Sequence, residues 1–367
     1  RGVSDIHFEP QDGDMRVRYR IDGVLRDAAI IPETSVPAVA SRVKILSDLD
    51  IAEKRIPQDG RIGMEVKGKP IDLRVATLPS AHGEKVVMRI LDQSKANIEL
   101  EALGMLPQAL ERFTKAFAQA HGAVLVTGPT GSGKSTSLYA ALNALNTVDK
   151  NIITIEDPVE YQLEGLTQVQ VNKKAGLTFA AGLRSMMRAD PDIIMVGEIR
   201  DRETAQIAVE AALTGHLVLS TLHTNDAPGA VARLIEMGVE PFLVASAVDC
   251  VVAQRLGRRL CEACKKPVTV EGHILREHGF HVDDHELQVF EAGGCGRCGG
   301  TGYKGRIGFY EVMLITEEIR ALAINRASAA EIAAAAIRTG MRRLRDEGLE
   351  KVRAGLTSFA ELARVTG

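Results

Sequence analysis

The sequence predicts an α/β protein, a parallel sheet wrapped by helices, with smaller modules on either side. Three observations predict it. Residues 108–255 alternate short continuous apolar runs with helical stretches, as buried parallel strands and their crossovers do. The first of those runs leads directly into the glycine-rich turn Gly128-Pro129-Thr130-Gly131-Ser132-Gly133-Lys134-Ser135, with a helical stretch behind it. Four of the five cysteines then fall as two C-x-x-C pairs beyond the alternating region.

Composition narrows the class. At 367 residues the chain has room for two or more domains, and 45% apolar with 25% charged residues is ordinary for a folded protein. The balance of 45 Lys+Arg against 48 Asp+Glu, net −3, removes the case for a protein that coats polyanions. Aromatic residues make up 4% with no Trp, which argues against a base-stacking platform for single-stranded nucleic acid. No apolar run approaches the roughly 18 residues that span a bilayer, so membrane association is expected through a partner. The chain opens Arg1-Gly2-Val3-Ser4-Asp5, with neither Met nor a signal-peptide pattern, and is expected to be a fragment of something longer.

Taken in order, residues 1–95 read as a small α+β domain. Met15–Ile21 alternates at period two and meets Asp22-Gly23, a hairpin signal. Residues 36–51 carry Val36, Val39, Val43, Leu46 and Leu49 at helical spacing. Gly60, Gly63 and Gly68 punctuate short strands, and Ile71–Val75 and Lys85–Leu91 read as two more. A polar stretch from Asp92 leads into a linker drawn at 96–107. In the core at 108–255, Ala123–Thr127, Ile152–Glu156, Ile193–Val196 and Leu217–Thr221 read as strands. Ser135–Leu145, Thr178–Arg188, Thr204–Ala212 and Ala227–Met237 read as helices. Residues 256–305 form a glycine- and cysteine-rich module, and 306–367 a C-terminal helical domain, helical and alanine-rich from 316 onward.

The glycine turn fits G-x-x-x-x-G-K-[ST] in full. Its glycines let backbone N–H groups surround phosphate oxygens, and the following helix adds its positive end. Gly128, Pro129, Thr130, Gly131, Ser132, Gly133, Lys134, Ser135 and Thr136 are the expected phosphate-binding segment. Lys134 is placed to reach the β and γ phosphates of ATP, and the Ser135 hydroxyl to ligate Mg²⁺. Hydrolysis also needs a carboxylate at the end of a neighbouring strand. Ile193-Ile194-Met195-Val196-Gly197-Glu198 supplies Glu198, with Asp190, Asp192 and Asp201 as rivals. Ile155-Glu156-Asp157-Pro158-Val159-Glu160 is a second strand ending in acids. One of these acids should hold Mg²⁺ and one activate water. His216 and His223 flank a further strand in Thr214-Gly215-His216-Leu217-Val218-Leu219-Ser220-Thr221-Leu222-His223-Thr224-Asn225, where a structural role is equally open.

These motifs, in this order and wording, closely resemble the ATPases that drive type II secretion and type IV pilus assembly. The resemblance runs from Ser4-Asp5-Ile6-His7-Phe8-Glu9-Pro10 to Leu356-Thr357-Ser358-Phe359. It implies a RecA-like ATPase core, a PAS-like N-terminal domain, and a cytoplasmic motor that forms a homo-hexamer. The motor would be held at the inner membrane by a platform protein and a docking protein, with no nucleic acid bound. It also implies that Glu156 and Glu160 belong to the Asp box and Glu198 to the Walker B box. His216 and His223 would form the His box and sense the γ-phosphate. Arg74 and Arg89 match the first-domain arginines that reach across to the nucleotide, with Arg184 and Arg188 as second-rank candidates. Pilus assembly and secretion read the same way in these motifs.

Cys261-x-x-Cys264 and Cys295-x-x-Cys298 let four thiolates converge tetrahedrally on Zn²⁺, which also points to a reducing compartment. The insert between the pairs is longer than usual for such sites and must fold back on itself; its His273, His278, His281 and His285 are expected at the surface. The resemblance agrees, since assembly-type members carry a tetracysteine insert here. Cys250 reads as an ordinary buried residue. Two rivals remain: a nucleic-acid-translocating or DNA-uptake ATPase on a similar core, and a scaffold that binds nucleotide without hydrolysing it.

Overall fold

The computed structural model describes residues 2–66, 68–92, 98–277 and 285–367. The chain divides into two units, Arg1–Ala96 and Asn97–Gly367. In the first, alternating apolar residues build β1 (Val3–Pro10), β2 (Met15–Ile21) and β3 (Val24–Ile31). Asp22 and Gly23 both take positive φ, 47° and 85°, the two-residue turn whose twist matches an antiparallel hairpin. Helix α1 (Val36–Leu46) stops short of the expected residue 51, where the Ser47 hydroxyl turns back to Val43 O at 2.6 Å. Strands β4 (Gln58–Val66), β5 (Lys69–Ser80) and β6 (Gly83–Asp92) complete a six-stranded antiparallel sheet, ordered β3-β2-β1-β6-β5-β4. Val43, Ile62, Leu73, Val75 and Val86 form its buried cluster.

The second unit is built on the apolar runs. Its elements are α2 (Pro107–Phe117), β7 (Gly122–Thr127), α3 (Lys134–Leu145), β8 (Ile152–Glu156), β9 (Thr167–Gln170), α4 (Phe179–Met186) and β10 (Ile193–Val196). There follow α5 (Arg202–Leu213), β11 (Leu217–Leu222), α6 (Ala227–Glu236), α7 (Pro241–Ala247) and β12 (Val248–Leu260). Every residue of β7, β8, β10 and β11 is buried, which is why these strands read as unbroken apolar runs rather than alternating ones. Residues 93–97 lie outside the described residues; within the expected linker, Glu101–Leu103 makes one 3-10 turn and Pro107 already opens α2.

The chain continues through β13 (Lys266–Glu271), α8 (Gly272–Glu277), β14 (Glu286–Glu291) and β15 (Tyr303–Leu314) to α9 (Glu317–Ile324), α10 (Ala329–Arg338), α11 (Leu344–Arg353) and α12 (Phe359–Thr366). The large sheet runs β15-β12-β7-β11-β10-β8-β9, parallel except for β15. The boundaries expected at 255 and 305 therefore fall inside β12 and β15, and the span drawn as a C-terminal helical domain opens with strand at residues 306–314. The glycines of Gly305-Arg306-Ile307-Gly308 concealed that strand in the sequence, whereas its second half, from Ile307 to Met313, is continuously buried. Among the described residues no helix is long and apolar enough to cross a membrane.

Strand β15 is also where the helical tail is anchored. Lys351 and Glu347, each 1% exposed at the side chain, pair at 2.6 Å one turn apart on α11. The Lys351 ammonium donates to Gly308 O at 2.6 Å, and the Tyr310 N–H donates to Glu347 at 3.2 Å. Removing one member of a buried pair strands the other charge. Lys351→Ala is expected to destabilise this unit by about 3–5 kcal/mol, whereas the double change Lys351→Met, Glu347→Leu should recover most of that. Denaturant unfolding checks it, and a single-variant loss below about 1 kcal/mol would contradict the pair's anchoring role.

Candidate functional site

Four parallel strands lie side by side in the order β7, β11, β10, β8, and in such sheets ligands bind beyond the carboxyl ends. At those ends the chain places the glycine loop after β7, His223 after β11, Glu198 after β10, and Glu156 as the last residue of β8. The loop turns on positive-φ glycines: 147° at Gly128, 80° at Gly131 and 90° at Gly133, the last serving as N-cap of α3. Side chains at Gly128 or Gly133 would also collide with Gln254, at 2.4 Å and 2.8 Å from an added Cβ. Ser135 and Thr136 form the first turn of α3, whose unpaired N–H groups face the loop.

Lys134 donates to Gly128 O at 2.7 Å and Pro129 O at 3.2 Å. Burial pulls its ammonium down to about 8; nearby Glu198 opposes that shift and Arg255 adds to it. Glu198 accepts from Arg200 Nε at 2.7 Å and lies 3.4 Å from His223 Nε2. Lys134, Glu198 and His223 thus share one electrostatic site beside the loop. Thr127, fully buried at the end of β7, accepts from Thr224 N at 2.7 Å and meets the Thr224 hydroxyl at 2.8 Å. That clasp holds the segment after β11 against the start of the loop.

The other predicted residues divide. Glu156 is 4% exposed and takes hydrogen bonds from the Tyr139 hydroxyl, Thr154 Oγ1 at 2.7 Å and Gln168 Nε2 at 3.1 Å. Burial pushes its carboxyl above the usual range despite these donors. It ties α3, which begins with Lys134, to β8 and β9. Of the rival acids, Asp190 and Asp192 precede β10 at the end away from the loop, where Asp192 accepts from Asn151 N at 2.7 Å. Asp201 caps α5 through Thr204 N at 2.8 Å. His216 precedes β11, six residues of extended strand from His223 and beside Gly122 at the start of β7. Its Nδ1 lies 3.0 Å from Ala211 O. One chain therefore does not bring the two histidines together.

Arg74 and Arg89 are cross-strand neighbours on β5 and β6 in the first unit, where Arg89 pairs with Asp5 at 3.1 Å. Arg184 on α4 pairs with Glu203, and Arg188 donates to Arg184 O at 2.9 Å. Sequence reasoning missed Gln254 and Arg255. They follow the apolar run Cys250–Ala253 just as Glu198 follows its own strand, but β12 continues past them and hid the signal.

The four cysteines converge. Their sulfurs all lie within 4.8 Å of one another, with Cys261–Cys295 at 3.9 Å and Cys264–Cys298 and Cys295–Cys298 at 3.8 Å. A tetrahedral ion with bonds of about 2.3 Å to sulfur needs edges of about 3.8 Å. Desolvation raises the Cys298 thiol, but the backbone amides of Cys295 and Gly302, at 3.2 and 3.1 Å from its sulfur, together with the Cys295 and Cys264 side chains, bring it down to about 6. The donor set fits a closed, four-thiolate metal site. The β13–β14 hairpin folds the insert back, as its length required. His273 instead pairs with Glu271 at 2.9 Å, at the surface; His278 and His281 lie outside the described residues. Cys250 is fully buried in β12.

Comparison with known proteins gives one consistent answer. The family described as "Type II/IV secretion system protein" matches residues 1–364. The chain is 54% identical to the type IV pilus assembly ATPase PilB of Acinetobacter baylyi over 99% of its own length and 63% of that protein's, so it spans less than two thirds of this relative. It is 48% identical to the type II secretion system ATPase E of Vibrio cholerae, covering 72% of it. Among solved structures, the Legionella pneumophila ATPase DotB superposes with a TM-score of 0.71 at 21% identity, over 98% of this chain and 90% of that one. The pilus retraction motor PilT with bound ADP superposes at 0.65 and 24%, over 98% and 92%. Those likenesses show a shared fold. With a glycine loop, an acid and a histidine set at adjoining strand ends and a family match across nearly its whole length, the chain belongs to the type II/IV secretion system protein family.

Proposed function

We propose that the chain is an ATP-hydrolysing motor that powers assembly of a type IV pilus or a type II secretion pseudopilus. The observation that carries this is the convergence of the glycine loop, Lys134, Glu198 and His223 at the ends of adjoining parallel strands. Its relatives' names, pilus assembly ATPase and type II secretion ATPase, support the coupling to those machines. In this reading the loop amides and Lys134 hold the ATP phosphates. Mg²⁺ would be held by Ser135 and Glu198 and would neutralise charge on the phosphate oxygens. Glu198, with His223 beside it, is the acid that orients or deprotonates the attacking water, while Glu156 is a buried tie. His216 has no part in the phosphate site of its own chain. Arg74 and Arg89 serve the nucleotide of an adjoining copy in a homo-hexamer. That ring works at the cytoplasmic face of the inner membrane, through platform and docking proteins. The four-thiol cluster holds a structural Zn²⁺.

Phosphate release by the full chain tests the motor. Lys134→Ala should abolish turnover with the fold intact, and unchanged turnover would overturn the reading. Glu198→Gln should still bind ATP but hydrolyse it at least tenfold more slowly, a drop of about 1.4 kcal/mol or more in transition-state stabilisation. Glu156→Ala should instead appear in stability, at about 1–3 kcal/mol, because it leaves buried donors unsatisfied. A Glu156→Ala chain of wild-type stability would contradict that assignment.

Affinity should also depend on pH in a defined direction. Lys134 titrates near 8 in the free protein, so binding above that pH must take up a proton. The Kd for ATP should rise above pH 8, approaching about tenfold per unit, and Lys134→Arg should flatten that rise. A wild-type affinity constant from pH 7 to 9.5 would contradict it. Elemental analysis should find one zinc per chain, falling to near zero in Cys295→Ser; full metal retention in that variant would remove the cluster from the site.

A further inference from the structure

We propose that Arg255 is a second cation of the phosphate site within the same chain, sharing the polyphosphate charge with Lys134 and positioning the segment after His223. The inference rests on reading the glycine loop as an ATP site, and it begins from register. Ala253 of β12 pairs with Thr127 of β7, so Gln254 and Arg255 run alongside the start of the loop. Gln254 packs under it: its carbonyl lies 2.4 Å from a Cβ built on Gly128, its amide nitrogen lies 2.8 Å from one built on Gly133, and its Oε1 accepts from Ser137 at 2.8 Å.

The Arg255 guanidinium stands just beyond. Its Nη1 is 3.3 Å from the same Gly128 Cβ position and donates to Gln254 O at 3.1 Å. Its Nη2 donates to Asn225 O at 2.9 Å and lies 3.4 Å from Asn225 Oδ1. Asn225 sits between Thr224, which clasps Thr127, and Asp226, which caps α6. One side chain therefore touches both the entrance of the loop and the segment that carries His223.

The electrostatics favour an anion at this place. Lys134 donates to Gly128 O, Arg255 Nη1 stands 3.3 Å from a Cβ built on the same glycine, and the Arg255 charge works against the Lys134 ammonium. Burial lowers the Arg255 guanidinium from its usual range, and Glu311 and Asp226 work against that shift. Two cations held together in a partly desolvated site repel, and a polyphosphate between them relieves the repulsion. Arginine suits the task because its fixed fork can keep the Asn225 carbonyl while turning another donor to an oxyanion.

The test uses the full chain and a fluorescent ATP analogue displaced by ATP or by inorganic tripolyphosphate, which carries no base or ribose. R255A and R255Q should weaken both competitors by tenfold or more. R255K should return affinity to within threefold of wild type, yet leave kcat at least fivefold down, because one ammonium cannot hold the Gln254 and Asn225 carbonyls together. Thermal melting accompanies each variant, and if R255A melts early, R255Q, which keeps the start of the aliphatic stem and a neutral N–H donor, carries the comparison. Unchanged tripolyphosphate displacement in R255Q, loss confined to ATP, or R255K no better than R255Q would each overturn the proposal. Lys134→Ala run beside it separates the two readings: normal ATP binding there would sink the ATP site itself.

Discussion

Thr127 ends β7 with no exposed surface, and its hydroxyl group meets both the backbone and the side chain of Thr224 in the segment after β11. The glycine loop begins at the next residue, and His223 is the residue before Thr224. A strand end free to fray would let loop and histidine separate by several ångströms. The clasp removes that freedom, and Ser220 and Thr221 repeat it one strand over by donating to Val196 O and Gly197 O at 2.7 Å. Buried hydroxyls thus tie β7 to β11 and β11 to β10 at the carboxyl ends of these strands. Buried backbone and hydroxyl groups left unpaired would each cost free energy, so the locks also satisfy the interior.

Burial then sorts the acids. Glu156 and Glu198 stand at the ends of neighbouring strands, yet three donors hold Glu156 inside the protein while Glu198 faces Arg200 and His223 in a partly open site. A carboxylate whose oxygens are already taken is poorly placed to accept a proton from water; one at the mouth of a cationic loop is well placed. The same sorting reaches the cations. Burial weakens the hold of Lys134 on its proton, and in the proposed reading a polyphosphate would complete the charge of the site.

Much of this was legible in the sequence because the strands are buried on both faces. β8 and β10 fall on the residues expected, Ile152–Glu156 and Ile193–Val196, and the Met15–Ile21 hairpin strand does as well. The loop was legible because its glycines are required by backbone conformation. What escaped has physical causes. β15 is interrupted by glycines and gains its place only through antiparallel pairing with β12, a contact distant in sequence. His216 and His223 bracket one strand, and a list of motifs does not say that the two ends of a strand lie on opposite edges of a sheet. Arg255 follows no turn or breaker, so nothing local marks it as the end of β12's pairing with β7. The cysteine pairs were legible from spacing alone, while the hairpin that closes the insert rests on alternation too short to stand out.

The carboxyl ends of β7, β11 and β10 are proposed to form one nucleotide site. A crystal structure of the Glu198→Gln chain with Mg²⁺ and ATP tests it most directly. Phosphates are expected on the amides of residues 131–136, with Lys134 moved from the Gly128 and Pro129 carbonyls onto phosphate oxygen, and His223, not His216 of the same chain, beside the γ-phosphate. Nucleotide bound elsewhere, or a loop left empty with Lys134 still on its carbonyls at saturating ATP, would contradict it.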